Sequence, residues 1–133
     1  MKLNTRNMKR ASGMTLLELT VVILVLLSLI SILFIGARAW KRGSDRAGCI
    51  MNIRNVQQAV RSHANMQGIN VGGTIVPTDV VGAGKFVEKT PTCPGGGTYS
   101  GLDGTTVPAV GTLYMTCGLA ATEGHVPTAY TDW

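Results

Sequence analysis

The chain is short of most of what a catalytic domain draws on. Only 14% of its 133 residues are charged, 5% are aromatic, and there are two histidines. It has no G-x-S-x-G elbow, no paired catalytic carboxylates and no glycine loop followed by Lys to cradle phosphate, so it is not read as an enzyme. Proline is absent before Pro77, which leaves the first half without the residue that breaks helices. Acidic residues are scarce too, seven against twelve Lys and Arg, for a net charge of +5. Four of the basic residues, Lys2, Arg6, Lys9 and Arg10, lie in the first thirteen positions, and the remainder of the chain is close to neutral. The basicity therefore belongs to a leader, and nucleic acid is not an expected partner.

What is abundant is apolar sequence in one place. From Met14 to Ile35, 22 residues carry a single charge, Glu18. As a helix they span about 33 Å, enough for a bilayer core of about 30 Å. Thr15, Thr20, Ser28 and Ser31 are the polar insertions, and each can satisfy itself on a backbone carbonyl. A single membrane-spanning helix is the expectation. An ordinary signal peptide is the rival, with Ala37-Arg38-Ala39 as a cleavage site before Trp40; it would release a secreted binding protein. Its apolar run would be unusually long, and a carboxylate inside it unusual. Flanking charge does not set the orientation, because Arg38, Lys41, Arg42 and Arg46 nearly balance the basic leader.

Gly13-Met14-Thr15-Leu16-Leu17-Glu18, after a short basic leader, resembles the processing site of type IV pilins and type II secretion pseudopilins. The resemblance implies that prepilin peptidase cuts after Gly13 on the cytoplasmic side and N-methylates Met14, with Glu18 as fifth residue of the mature chain. Met14 stands where Phe is commoner in that family, and the family's frequent helix proline would fall at Ile35 and is missing. Electrostatics gives the pattern a reason. A carboxylate within a membrane helix costs about 2.5–3.5 kcal/mol at the centre and calls for a partner. Cleavage would create an ammonium on Met14, the obvious counter-ion for Glu18, on the same chain or on a neighbour in a filament.

Beyond Gly36 the helical period continues. Ile50, Ile53, Val56, Val60 and Ala64 recur at spacings of three and four, and Asn65-Met66-Gln67-Gly68 reads as a stop. One helix from about Met14 to Gln67 is expected, with an amphipathic second half. Arg38, Arg42 and Arg46 share one face, read as a solvated juxtamembrane surface; some pilin-like relatives capture DNA, but no interleaved aromatics support that here.

The last 66 residues are rich in Gly and Thr, too few to bury a large core unaided. Residues 68–76 read as a loop, and Thr78–Gly82 as one helical turn capped by Thr78 or Asp79. Thr98–Ser100 and Thr112–Thr116 are the expected strands, with Leu102-Asp103-Gly104 as a turn. The run from Cys93 to Tyr99, with Cys117 and His125, also resembles the C-terminal module of some pseudopilin-like proteins. Cys93 and Cys117 end the expected hairpin, and a disulfide there would close a loop of about 25 residues, worth about 3–4 kcal/mol. Cys49 is left over, packed as a small hydrophobe. His63, Cys93, Cys117 and His125 have ligand chemistry but none of the close spacing of recognised zinc sites, so no metal is assigned. Major pseudopilins bind calcium in a C-terminal loop, but Asp103 and Asp132 are too few acids to assert it.

The expected fold is α+β and pilin-like: a leader at 1–13, a membrane and filament-core helix at 14–35, its amphipathic continuation at 36–67, and a small αβ head with an antiparallel sheet at 68–133. The resemblance implies a filament subunit of a type II secretion or type IV pilus system, anchored by one pass in the bacterial inner membrane with its head in the periplasm. Its partners would be other pilin-like subunits, prepilin peptidase, the lipid bilayer and, indirectly, an assembly ATPase. No cofactor is expected.

Overall fold

The computed structural model describes Gly13 and residues 15–133. The leader and Met14 lie outside the described residues. The elements in chain order are a helix, Leu16–Gln67 (α1), a short helix, Pro77–Val80 (α2), two strands, Tyr99–Ser100 (β1) and Thr116–Cys117 (β2), and a last short helix, Ala120–Glu123 (α3). The layout is α+β. Two compact units divide between Arg38 and Ala39.

The N-terminal unit is the apolar start of α1. Thr15 precedes the helix and Glu18 is its third residue, the T-x-x-E arrangement of a capping box. The Glu18 carboxylate accepts from the Thr15 backbone N–H at 2.9 Å, and the Glu18 N–H donates to the Thr15 hydroxyl at 3.3 Å. The hydroxyls of Thr20, Ser28 and Ser31 donate to the carbonyls of Leu17, Val25 and Leu27, so the polar insertions are satisfied within the helix.

The second unit is built on the rest of α1. Its buried face carries Cys49, Ile53, Val56, Val60, His63 and Ala64, with Gln57 and Ala59 beside them. Steps of four and three keep these side chains on one stripe. Ile50, expected on that stripe, is only half-buried, and Cys49 takes the first rung. The helix stops where the sequence indicates. Gly68, at φ 67°, adopts the left-handed conformation, its N–H donates to Asn65 O, and the Ile69 N–H reaches Ala64 O at 2.8 Å. These two bonds are a Schellman cap, and Ile69 packs back on the core.

The head contributes Ile75, Val80, Cys93, Val107, Tyr114, Met115 and Cys117 to the same core. Polar residues of α1 hold the loops against it. The Arg61 guanidinium donates to the carbonyls of Pro108, Ala109 and Trp133. Asn52 donates to Thr92 O and to the Tyr99 hydroxyl. The buried Gln57 amide donates to Thr112 O at 3.0 Å and accepts from the Tyr114 N–H at 2.8 Å.

That last pair explains why the sheet is smaller than expected. β1 and β2 are antiparallel, with Tyr99 opposite Cys117 and Ser100 opposite Thr116. The second strand was expected over Thr112–Thr116, but the backbone groups of Thr112 and Tyr114 are taken by a helix side chain instead of a neighbouring strand. Pairing begins only at Thr116. The turn expected at Leu102-Asp103-Gly104 is present, closed by Gly104 N–H to Gly101 O at 2.9 Å. α2 starts one residue earlier than expected, with Pro77 in the first turn and no side-chain cap, so neither Thr78 nor Asp79 caps it. The fixed φ and missing N–H of proline suit that position.

Candidate functional site

Two places on the chain carry chemistry. The first is the start of α1. Gly13 is exposed and outside the helix, and Glu18 lies over the first helical turn. From Leu16 to Ile35 the apolar side chains are exposed all round, from Leu16 at 81% to Ile35 at 73%. Among the described residues this is the one helix long and apolar enough to cross a membrane. The Thr15 N–H that binds Glu18 belongs to the peptide bond joining Met14 to Thr15. Met14 itself, the residue read as the methylated terminus, lies outside the described residues, and so does any pairing of Glu18 with its amine.

The second place is buried in the head. Cys49 from α1, Cys93 from the loop before β1, Cys117 from β2 and His125 from just past α3 converge. All four are buried, and their ligand atoms lie within 4.8 Å of one another. The fold thus brings Cys93 and Cys117 together, as the expected disulfide requires, but as free thiols with 3.8 Å between the sulfurs. A disulfide measures about 2.05 Å. The structure also adds Cys49, expected only as a small hydrophobe in the core, and His125, whose Nδ1 lies 3.4 Å from Cys93 Sγ.

The loop between Cys93 and β1 is shaped around this group. Pro94 follows Cys93, and the Gly96 N–H closes a turn on Cys93 O at 3.0 Å. Gly95 and Gly97 cannot be larger without displacing the group. A Cβ at Gly95 would stand 2.8 Å from His125 Cε1, and one at Gly97 would stand 2.8 Å from Cys117 Sγ. Burial alone would push the Cys93 thiol up. The backbone N–H groups of Gly97 and Gly95, with His125 and Cys117, outweigh it and bring the pKa down to about 7. Cys49 goes the other way. Burial pushes it up to about 12, only partly offset by the Tyr99 hydroxyl and reinforced by Cys117 and Cys93. One pocket therefore holds one thiol poised to ionise and another held neutral.

His125 has its second nitrogen, Nε2, buried without a hydrogen-bond partner; the nearest carboxylate oxygen, from Glu123, is 3.6 Å away. His63, considered alongside these residues from the sequence, is elsewhere, its ring edge-on to Phe86 at 5.9 Å between centroids. Asp103 and Asp132 are not drawn into a ligand cluster among the described residues. The sequence signal for the group was present but indirect. Cys49 falls in the 3-4 spacing of Ile53, Val56 and Val60, which places it on the buried face, and a CPGGG run is a tight turn that starts at a cysteine.

Comparison with protein-family models, with curated proteins and with solved structures gives no match. The function is therefore argued from these two sites.

Proposed function

We propose that this chain is a structural subunit of a pilin-like filament, of type II secretion or type IV pilus kind, held by α1 in the inner membrane before assembly. The observation that carries this reading is the start of α1: twenty residues of helix whose apolar side chains are exposed among the described residues, opened by Glu18 directly after the Gly13 processing pattern. An apolar surface of that extent needs lipid or other helices around it. In the membrane it has lipid; in a filament it has the same helix from neighbouring subunits. Trp40, 80% exposed, and the basic residues Arg38, Lys41 and Arg42 follow within a few positions, as suits a membrane–water boundary. The head that follows is a pilin-like domain, small and laid on the amphipathic half of its own helix, on the periplasmic side.

The capping box sharpens what Glu18 does. Its carboxylate lies against the peptide group that follows Met14, so an ammonium created on Met14 would arise beside an anion already in place. Prepilin peptidase is the implied processing partner. The signal-peptide reading fares worse, because its apolar region would be unusually long and would carry a carboxylate, Glu18.

Mass spectrometry of the chain recovered from its native membranes decides between these readings. An N-methyl-Met14 terminus is expected. A mature chain beginning at Trp40 would end the pilin reading.

A further inference from the structure

We infer that Cys49, Cys93, Cys117 and His125 form a closed tetrahedral zinc site that staples the head to α1. The inference is independent of how the N-terminus is processed.

The distances carry it. With Zn–S near 2.3 Å and Zn–N near 2.05 Å, tetrahedral angles put two ligand sulfurs about 3.8 Å apart and a sulfur and a nitrogen about 3.6 Å apart. The Cys93–Cys117 sulfurs are 3.8 Å apart, and Cys93 Sγ is 3.4 Å from His125 Nδ1. The remaining separations, none above 4.8 Å, need only a small contraction around an ion. Three sulfurs and one imidazole in a tetrahedron favour zinc over the oxygen-seeking Mg²⁺ and Ca²⁺. Four protein ligands leave no open position, so the site is structural rather than catalytic.

The surroundings are those of a metal site as well. The turn after Cys93 closes tightly on the group, since a Cβ at Gly95 would stand 2.8 Å from His125 Cε1 and one at Gly97 2.8 Å from Cys117 Sγ. With His125 Nδ1 turned to the sulfurs, its Nε2 is left without a partner, and Glu123 Oε2, 3.6 Å away and just outside hydrogen-bond distance, needs only a small shift to accept from it. Metal-bound histidines commonly pass their other N–H to a carboxylate in this way. A disulfide between Cys93 and Cys117 would use two of the four groups, need an oxidant, and leave Cys49 and His125 buried beside it outside the bond. Zinc uses all four without oxidation: three thiols lose three protons, and Zn²⁺ with three thiolates leaves a net charge of −1.

The test uses the full chain in detergent micelles, purified without chelator. Elemental analysis is expected to give about one zinc per chain, as a closed four-ligand site holds a single ion. All three thiols should resist alkylation until a chelator is added. Exchange into cobalt(II) should produce the intense visible bands of tetrahedral cobalt together with thiolate-to-cobalt charge transfer, and excess Mg²⁺ or Ca²⁺ should not displace it. Because Cys49→Ser alters the core, the variants that decide are elsewhere. Glu123→Gln, at a half-exposed position, should weaken zinc about tenfold or more while the chain stays folded. His125→Cys should keep one metal and strengthen the cobalt charge-transfer band. Metal-free protein with a Cys93–Cys117 disulfide, seen as the loss of two hydrogens in intact mass, would overturn the proposal. So would three thiols that alkylate freely before any chelator.

Discussion

Glu18 has two physical tasks that a single substitution can separate. Its carboxylate caps the first turn of α1 through the Thr15 N–H, and its charge is available to an ammonium on Met14. Glutamine serves equally as the third residue of a capping box but carries no charge. Glu18→Gln should therefore insert into the membrane and be cleaved at normal levels, yet give a small fraction of the wild-type yield of sheared filaments. Glu18→Ala, which loses the cap as well, should do no better. If Glu18→Gln assembles as wild type, the carboxylate is a cap and nothing more. The side chain was conspicuous in the sequence as a charge in an apolar run. Its hydrogen bond to Thr15 is equally legible, as T-x-x-E before an apolar helix. Cys49 is the opposite case. Its position on the helix stripe was legible, but its three partners come from segments 44, 68 and 76 positions further along the chain, a separation no local spacing reveals.

α1 is continuous through Gly36, Gly43 and Gly48, and the structure sets the last apart from the other two. Nothing lies within 4 Å of a Cβ built on Gly43, whereas one built on Gly48 would stand 3.0 Å from Pro94 Cγ. Gly48 thus lets the turn after Cys93 approach the helix one residue before Cys49. Gly43→Ala should raise the stability of the helix and head by about 0.5–1 kcal/mol, the propensity difference between the two residues. Gly48→Ala should forfeit that gain or reverse it, because Pro94 is a stiff ring that must shift. Paired thermal melts of the two variants in the same detergent check the contrast; equal stabilisation would mean that Pro94 does not pack on the helix. Spacing along the helix does not tell Gly43 from Gly48; the approach of Pro94 does. The helix itself, its cap and its Schellman stop needed only local information, which is why its expected end at Gln67 holds to the residue.

At the scale of the whole molecule, the head survives with two strands of two residues because α1 takes over the work of a sheet. Gln57, Asn52 and Arg61 bind loop backbone that would otherwise be unpaired, and Tyr114 sits where this loop meets the Gly101–Gly104 turn, its hydroxyl donating to Gly104 O. Burial, with the charge of Asp103 adding to it, raises the Tyr114 pKa above its ordinary value of 10.0. The folded protein then holds this proton at a pH where the unfolded chain has released it, so stability falls as pH rises. The contribution is fully present below about pH 10 and is lost progressively above it. Thermal midpoints measured across alkaline pH should decline for the wild type and decline less steeply for Tyr114→Phe. Identical slopes would show that the phenol is not protected in the fold.

Local physics along the chain accounts for one part of this fold. Apolar content fixed the N-terminal helix as long enough for a bilayer, period 3.6 fixed its amphipathic continuation, Gly68 fixed its end, and Pro77 and the glycine-rich segments marked where turns fall. Long-range packing selects which backbone groups find partners on α1 rather than in a sheet, and which side chains meet in the core. The Thr112 region loses its strand to Gln57, a partner 55 residues away. Cys49, Cys93, Cys117 and His125 become one group only when the head closes on the helix. Periodicity records each residue's neighbours along the chain; a four-ligand site is a statement about neighbours in space.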